Sequence, residues 1–139
     1  MAISQALCSS FKQQILLGEH DLDTDVIKLA LYTSAATLSA ATTAYTTSDE
    51  VAGAGYTAGG NTLAGATVSL SGTTAYVDFT DTTWTTATIT ARGALIYNSS
   101  KSNKAIAVLD FGSDKTSTAG SFTVQMPAND ASSALVRIA

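Results

Sequence analysis

Charge is scarce in this chain: 7 Lys and Arg against 11 Asp and Glu, 13% charged in 139 residues, about half the usual share of a soluble protein. Histidine, proline, tryptophan and cysteine occur once each. Each shortage excludes something. No window gathers basic residues, and the net charge is −4. Nucleic-acid binding rests on clustered Lys and Arg neutralising phosphates, so no DNA or RNA partner is expected. The apolar runs fall far short of the roughly 20 residues that span a bilayer, so no membrane partner is expected either. Met1–Leu17 carries neither a basic start nor a contiguous apolar stretch, and does not read as a signal peptide. A single Cys8 cannot form an internal disulfide, which suits a reducing cytoplasm. Zinc sites take three or four His and Cys ligands, and Cys8 with His20 is the whole supply.

What is present is Ala, Thr and Ser, 62 of 139 residues by count, within a 45% hydrophobic composition. Disorder goes with low hydrophobicity and high net charge, so this chain is expected to fold. Its length suits one domain over residues 1–139. Residues 3–17 carry Ile3, Leu7, Cys8, Phe11 and Ile15 at spacings of three and four, with Leu16 at the border of the same face and Gly18 placed to end a helix. The N-terminal segment 1–18 is therefore read as the one α-helix. From 19 onward the period becomes two. Ile27, Leu29 and Leu31, then Ala66, Val68 and Leu70, then Ala75, Val77 and Phe79, then Phe122, Val124 and Met126 alternate with polar or small residues, as in half-buried antiparallel strands. Segments 92–97, 105–111 and 134–138 are more continuously apolar and read as covered strands. Turns are expected at Ser71-Gly72, Asn98–Asn103, Gly112–Gly120 and Pro127–Asp130. About seven strands with short loops predict a mainly β fold, an antiparallel β-sandwich of jelly-roll-like type over 19–139.

Residues 33–61 interrupt this pattern with a long Ala/Thr/Gly-rich excursion, uncharged from Ala30 to Ser48. It holds either a short helix near Ser48–Val51 or a loop ordered against a partner, and the second reading is preferred. The glycines between Val51 and Gly60 require positive φ or flexibility.

Motifs for chemistry are weak. Asp21-Leu-Asp23-Thr-Asp25 opens like an EF-hand loop, but Val26 stands where glycine belongs and Tyr32 where the bidentate acid belongs. It reads as a solvated acidic turn, and His20 as an exposed turn histidine. Cys8 reads as a small buried hydrophobe, with no base near it in sequence. The glycines at 53–60 lack the Lys-Ser/Thr ending of a phosphate loop, there is no G-x-S-x-G elbow, and Asp110-Phe111-Gly112 stands without any other kinase element. Asn98-Ser99-Ser100 fits a glycosylation sequon, relevant only in a eukaryotic secretory protein. Arg92, inside an apolar run, needs a partner such as Asp110 or Asp78. Trp84 with Tyr32, Tyr45, Tyr56, Tyr76 and Tyr97 offers either a sugar-stacking platform or ordinary core and rim aromatics, and the second is preferred. No catalytic, cofactor-binding or metal-ligating residue is assigned, and the chain is read as no enzyme.

An ordered set of segments carries a resemblance: Phe11-Lys-Gln-Gln-Ile-Leu-Leu-Gly-Glu-His20, Lys28-Leu-Ala-Leu-Tyr-Thr-Ser34, Ala41-Thr-Thr-Ala-Tyr45, Gly55-Tyr-Thr-Ala-Gly-Gly60, Thr90-Ala-Arg-Gly-Ala-Leu-Ile-Tyr-Asn98, Ala107-Val-Leu-Asp-Phe-Gly112 and Phe122-Thr-Val-Gln-Met-Pro127. Together they resemble a family of small virion structural proteins of tailed bacteriophages, along the whole chain. The resemblance implies a non-enzymatic virion protein, assembled in the host cytoplasm, with no cofactor and no site residue to carry over. Its expected partners are copies of itself and other phage structural proteins, first the major capsid protein, on which it would act as a head decoration (cement) protein. A tail, collar or fibre-associated protein is the second expectation, and a virion-displayed glycan-binding module the third. The expected contact residues are 33–61 and the helix Ile3–Leu17.

Overall fold

The computed structural model describes residues 2–139. It is mainly β, with antiparallel sheets and one helix. In chain order the elements are β1 (Ala6–Leu7), α1 (Ser9–Leu16), β2 (Ile27–Tyr32), β3 (Asn61–Thr62), β4 (Thr67–Ser71), β5 (Thr74–Asp78), β6 (Thr82–Asn98), β7 (Lys104–Val124) and β8 (Val136–Ile138). Five strands form one sheet in the order β1-β7-β6-β2-β3, and three form a second in the order β4-β5-β8.

The helix is half the length that its sequence pattern predicts. Ile3 lies in a parallel bridge with Leu38, and Ala6–Leu7 pairs with Val108 and Ala107 at the edge of β7. The Cys8 N–H donates to the Ile106 carbonyl at 2.9 Å, so sheet bonds take the backbone groups that a longer helix would have used. The far end follows the sequence. Gly18 has φ +73°, its N–H donates to Ile15, and Glu19 N–H donates to Gln14, the paired bonds of a Schellman ending.

The long hairpin β6–β7 was legible only in pieces. Its turn at Asn98–Asn103, a 3-10 turn over Ser99–Lys101, is where turn residues placed it. Gly112–Gly120, read as a turn, is strand throughout, and the Thr-rich Thr82–Ala91 pairs with it. Small polar residues there look like loop in composition, yet cross-strand hydroxyl pairs such as Thr90–Thr116 (3.1 Å) and Thr83–Thr123 (2.9 Å) suit the pleat. Positive φ at Gly112 and Ala119 and several register shifts mark the bulges that take up its irregularity.

β2 is buried on both faces rather than one, because residues 33–61 fold back over it. Tyr45 stacks on Tyr97 with centroids 4.6 Å apart, and the Tyr32 hydroxyl donates to the Thr46 carbonyl at 2.6 Å. The excursion is therefore ordered by its own chain, which corrects the preference for a loop ordered by a partner. It holds no helix near Ser48–Val51: Asp49 sits in a turn at φ +61° and Glu50 bridges to Tyr32. One buried cluster runs through both sheets, from Leu29, Leu95 and Ile106 to Val77, Phe79 and Val136.

Candidate functional site

The small sheet presents one apolar face. Its registers place Val68, Val77 and Val136 abreast, and Leu70, Ala75 and Ile138 abreast. Residues opposed in antiparallel pairs share a face, so all six point the same way. Val77 and Val136 are buried, but Leu70 is 73% exposed, Val68 57% and Ile138 54%. The sheet thus overhangs the core at its β4 side and hairpin end. Between this face and the wall formed by Ile15, His20 and Leu22 lies an open groove of about 500 Å³. Leu16 and Leu17 at the end of α1 add two more exposed apolar side chains. Period two had pointed Val68 and Leu70 inward, and they do share a face with the core residues. Strand alternation fixes the face a residue is on, and says nothing of how far the opposing layer reaches across it.

The back of the groove is a polar knot centred on His20. Far from an exposed turn residue, His20 is 6% exposed. Its Nδ1 accepts from Asn98 Nδ2 at 3.0 Å, which leaves Nε2 to carry the proton and donate to Gln14 Oε1 at 2.8 Å. The same Asn98 amide donates to Asp25 Oδ2 at 2.7 Å, and Asn98 Oδ1 accepts from Ser100 N–H. Burial, reinforced by the charge of Lys104, holds the imidazole below its ordinary value against the opposing pull of Asp25 and Glu19. His20 therefore sits as a neutral structural group. Asn98 is wholly buried, so its sequon offers no accessible amide.

The acidic turn is occupied with itself. Asp21 Oδ1 accepts from the N–H groups of Asp23 and Thr24, and Asp25 Oδ2 accepts from Asp21 N–H. Among the described residues, no three His, Cys, Asp or Glu side chains gather where a metal could be held. Cys8 is fully buried, and burial pushes its thiol up to about 11, away from nucleophilic use. Arg92 pairs with Asp110 at 3.2 Å, one of the two partners read from sequence; Asp78 lies on β5 in the other sheet. Asp78 keeps one carboxylate oxygen buried without a partner.

A second polar knot pins the excursion. Glu50 accepts from the hydroxyls of Tyr45 (2.8 Å) and Tyr56 (2.6 Å) and from Gly59 N–H (2.8 Å). The Tyr56 hydroxyl in turn accepts from Leu31 N–H, and the Tyr97 hydroxyl donates to the Gly59 carbonyl. Burial raises all four phenols, Tyr32, Tyr45, Tyr56 and Tyr97, the last to about 12. Trp84 is 4% exposed between Tyr56 and Phe122. These aromatics are spent on packing and on holding the loop, and Trp84 offers no free face to a sugar ring.

The arrangement can bind by shape and apolar contact. The feature of this face that sequence reasoning missed is the uncovered row Val68, Leu70 and Ile138. No helix among the described residues is long and apolar enough to cross a membrane. No family model, curated protein or solved structure matches this chain.

Proposed function

We propose that this chain is a non-enzymatic phage virion structural protein that decorates and cements the head shell, bound to the major capsid protein. The observation that carries the reading is the uncovered apolar row Val68, Leu70 and Ile138, with Leu16 beside Ile138, on a chain with little charge. An exposed contiguous apolar patch marks an interaction surface. Repetition over many copies turns a modest contact into a strong one. The segment-by-segment resemblance to small tailed-phage virion proteins supplies the setting. Small Ala, Thr and Ser side chains lose little rotamer freedom on docking, which suits a subunit that works against neighbours. We also read the two sheets as the layers of a β-sandwich, jelly-roll-like in character, because one buried cluster joins them.

The test compares phage particles that contain the protein with particles that lack it. A cement protein raises the temperature at which heads rupture and their resistance to low salt, and is present in hundreds of copies per particle. Unchanged rupture without it overturns the cement reading. A copy number of a dozen or fewer moves the protein to the tail or collar.

A further inference from the structure

We infer that two copies of this chain pair through the free edge of β4, antiparallel about a two-fold axis at Ser69, to form one continuous six-stranded sheet. The inference does not depend on the virion reading.

The edge geometry comes from the hairpin. β4 and β5 are joined through Gly72 and Thr73, with Ser71 opposite Thr74 and Gly72 at φ +58°. Glycine with positive φ at the first central position is a two-residue turn whose flanking pair is hydrogen-bonded. Bonding then alternates along the ladder, so Ser71, Ser69 and Thr67 spend their main-chain groups on β5. Val68 and Leu70 point theirs outward, where no strand is paired. An unpaired row of this kind is a template for another strand.

The other free edges are guarded and this one is not. Beyond β2, the outer half of β6 lies against residues 53–61, with Thr88 N–H donating to the Ala54 carbonyl and Asn61 Nδ2 to the Thr83 carbonyl. β1 and β3 have two residues each, and β8 has three with Arg137 at its centre. The outer part of β7 carries Asp110, Asp114 and Lys115 and is bent by positive φ at Gly112 and Ala119. β4 reads Thr-Val-Ser-Leu-Ser, five residues with no charge and no proline, and its ladder with β5 runs without a register shift. Short strands, charges and bulges are how proteins blunt an edge.

The occupant is a second copy because the edge complements itself. Antiparallel pairing centred on Ser69 sets Val68 against Leu70 of the second copy and Leu70 against Val68, so every outward N–H meets an outward C=O. It also places both apolar side chains on the groove face. Leu70 of one copy then covers Val68 of the other, and the two overhangs become one apolar surface. Charge permits the approach: from Val51 through Val77 the chain has no ionisable acid or base among Asp, Glu, Lys, Arg and His. A foreign strand would need no such palindromic match.

The test uses the full chain. Light scattering or sedimentation is expected to give twice the 14.2 kDa chain mass. Leu70→Lys, at a side chain already exposed, returns the mass to that of one chain with an unchanged circular dichroism spectrum. Ser69→Cys provides an independent reading. Ser69 faces its own copy as a non-hydrogen-bonded pair, with Cα atoms about 4.5 Å apart, within disulfide range. Mild oxidation should link that variant almost completely into a covalent dimer, while Thr73→Cys in the turn links far less. A monomer at high micromolar concentration overturns the proposal. So does a dimer that Leu70→Lys leaves intact or that Ser69→Cys fails to link. Failure here leaves the rupture test on particles standing, and an unaltered rupture temperature leaves the dimer standing.

Discussion

His20 couples the groove wall to the hairpin turn, and its burial gives the fold a dependence on pH. The unfolded histidine titrates near its ordinary 6.5, while the folded one is held lower. Below 6.5 the unfolded chain takes up a proton that the folded chain refuses, so stability falls as pH falls. The slope ends once pH has passed the lowered folded value. Lys104 and Lys101 add to this effect, and Asp25 and Glu19 oppose it. Asp78 works in the reverse sense: burial raises its carboxyl, so it favours the folded state more as the solution becomes acidic, in the range above 3.8. Thermal melting is expected to show a lower Tm at pH 5 than at pH 8, with the drop reduced in His20→Gln. An equal drop in that variant would assign the acid sensitivity elsewhere. This residue was not legible from sequence. Its burial depends on Asn98, 78 positions away, and a lone histidine beside an acidic run carries no local sign of such a partner. Cys8 was legible because the apolar positions around it point to the core in helix and strand alike.

At the scale of elements, the 33–61 excursion shows what composition hides. Its apolar anchors, Ala36, Leu38 and Val51, are too sparse to show a period, and its fixing points are polar. Glu50 gathers two tyrosine hydroxyls and a backbone N–H, and glycines bring the chain close to the sheet. Gly60 has φ +77° and lies against the Leu29 carbonyl, with no room for a Cβ. Removing a carboxylate that satisfies several donors leaves them unpaired, each at about 1–3 kcal/mol where buried. Glu50→Ala should lower the urea midpoint by an amount corresponding to about 2–3 kcal/mol. It should also speed proteolysis and hydrogen exchange within 45–60 more than in β6. Wild-type protection of that segment would show that the tyrosines hold it without the carboxylate. Strands with clean alternation, β2, β4 and β5, were legible with near-correct ends. The outer half of β6–β7 was not, because threonine and glycine serve loops and bulged strands equally. β1 was taken for helix because Ile3 and Leu7 fall on one face at helical spacing, and only the distant β7 edge decides between the two.

Across the whole molecule, the topology ties the chain's ends together. β1 pairs with residues about a hundred positions later, and β8 closes the small sheet on β5. Contacts of this separation form slowly and give little until most of the chain is in place. The small sheet could still have been an independent unit, since few of its residues are deeply buried and Val68, Leu70 and Ile138 are open. Against that, Val77, Phe79 and Val136 belong to the same buried cluster as the centre of the large sheet. The small sheet, one hairpin and the three-residue β8, shares that cluster and has no core of its own among the described residues. The two sheets should therefore unfold as one. Trp84, packed between Tyr56 and Phe122, reports the large sheet by fluorescence, and far-ultraviolet circular dichroism reports all strands. The two denaturation curves should superimpose with one midpoint. Val136→Ala, which cuts the shared cluster from the small-sheet side, should move both curves together, by about 1–3 kcal/mol for a buried large-to-small change. A circular dichroism transition that moves while the Trp84 signal stays fixed would show that the sheets are separate cooperative units, joined by contact and not by a common core.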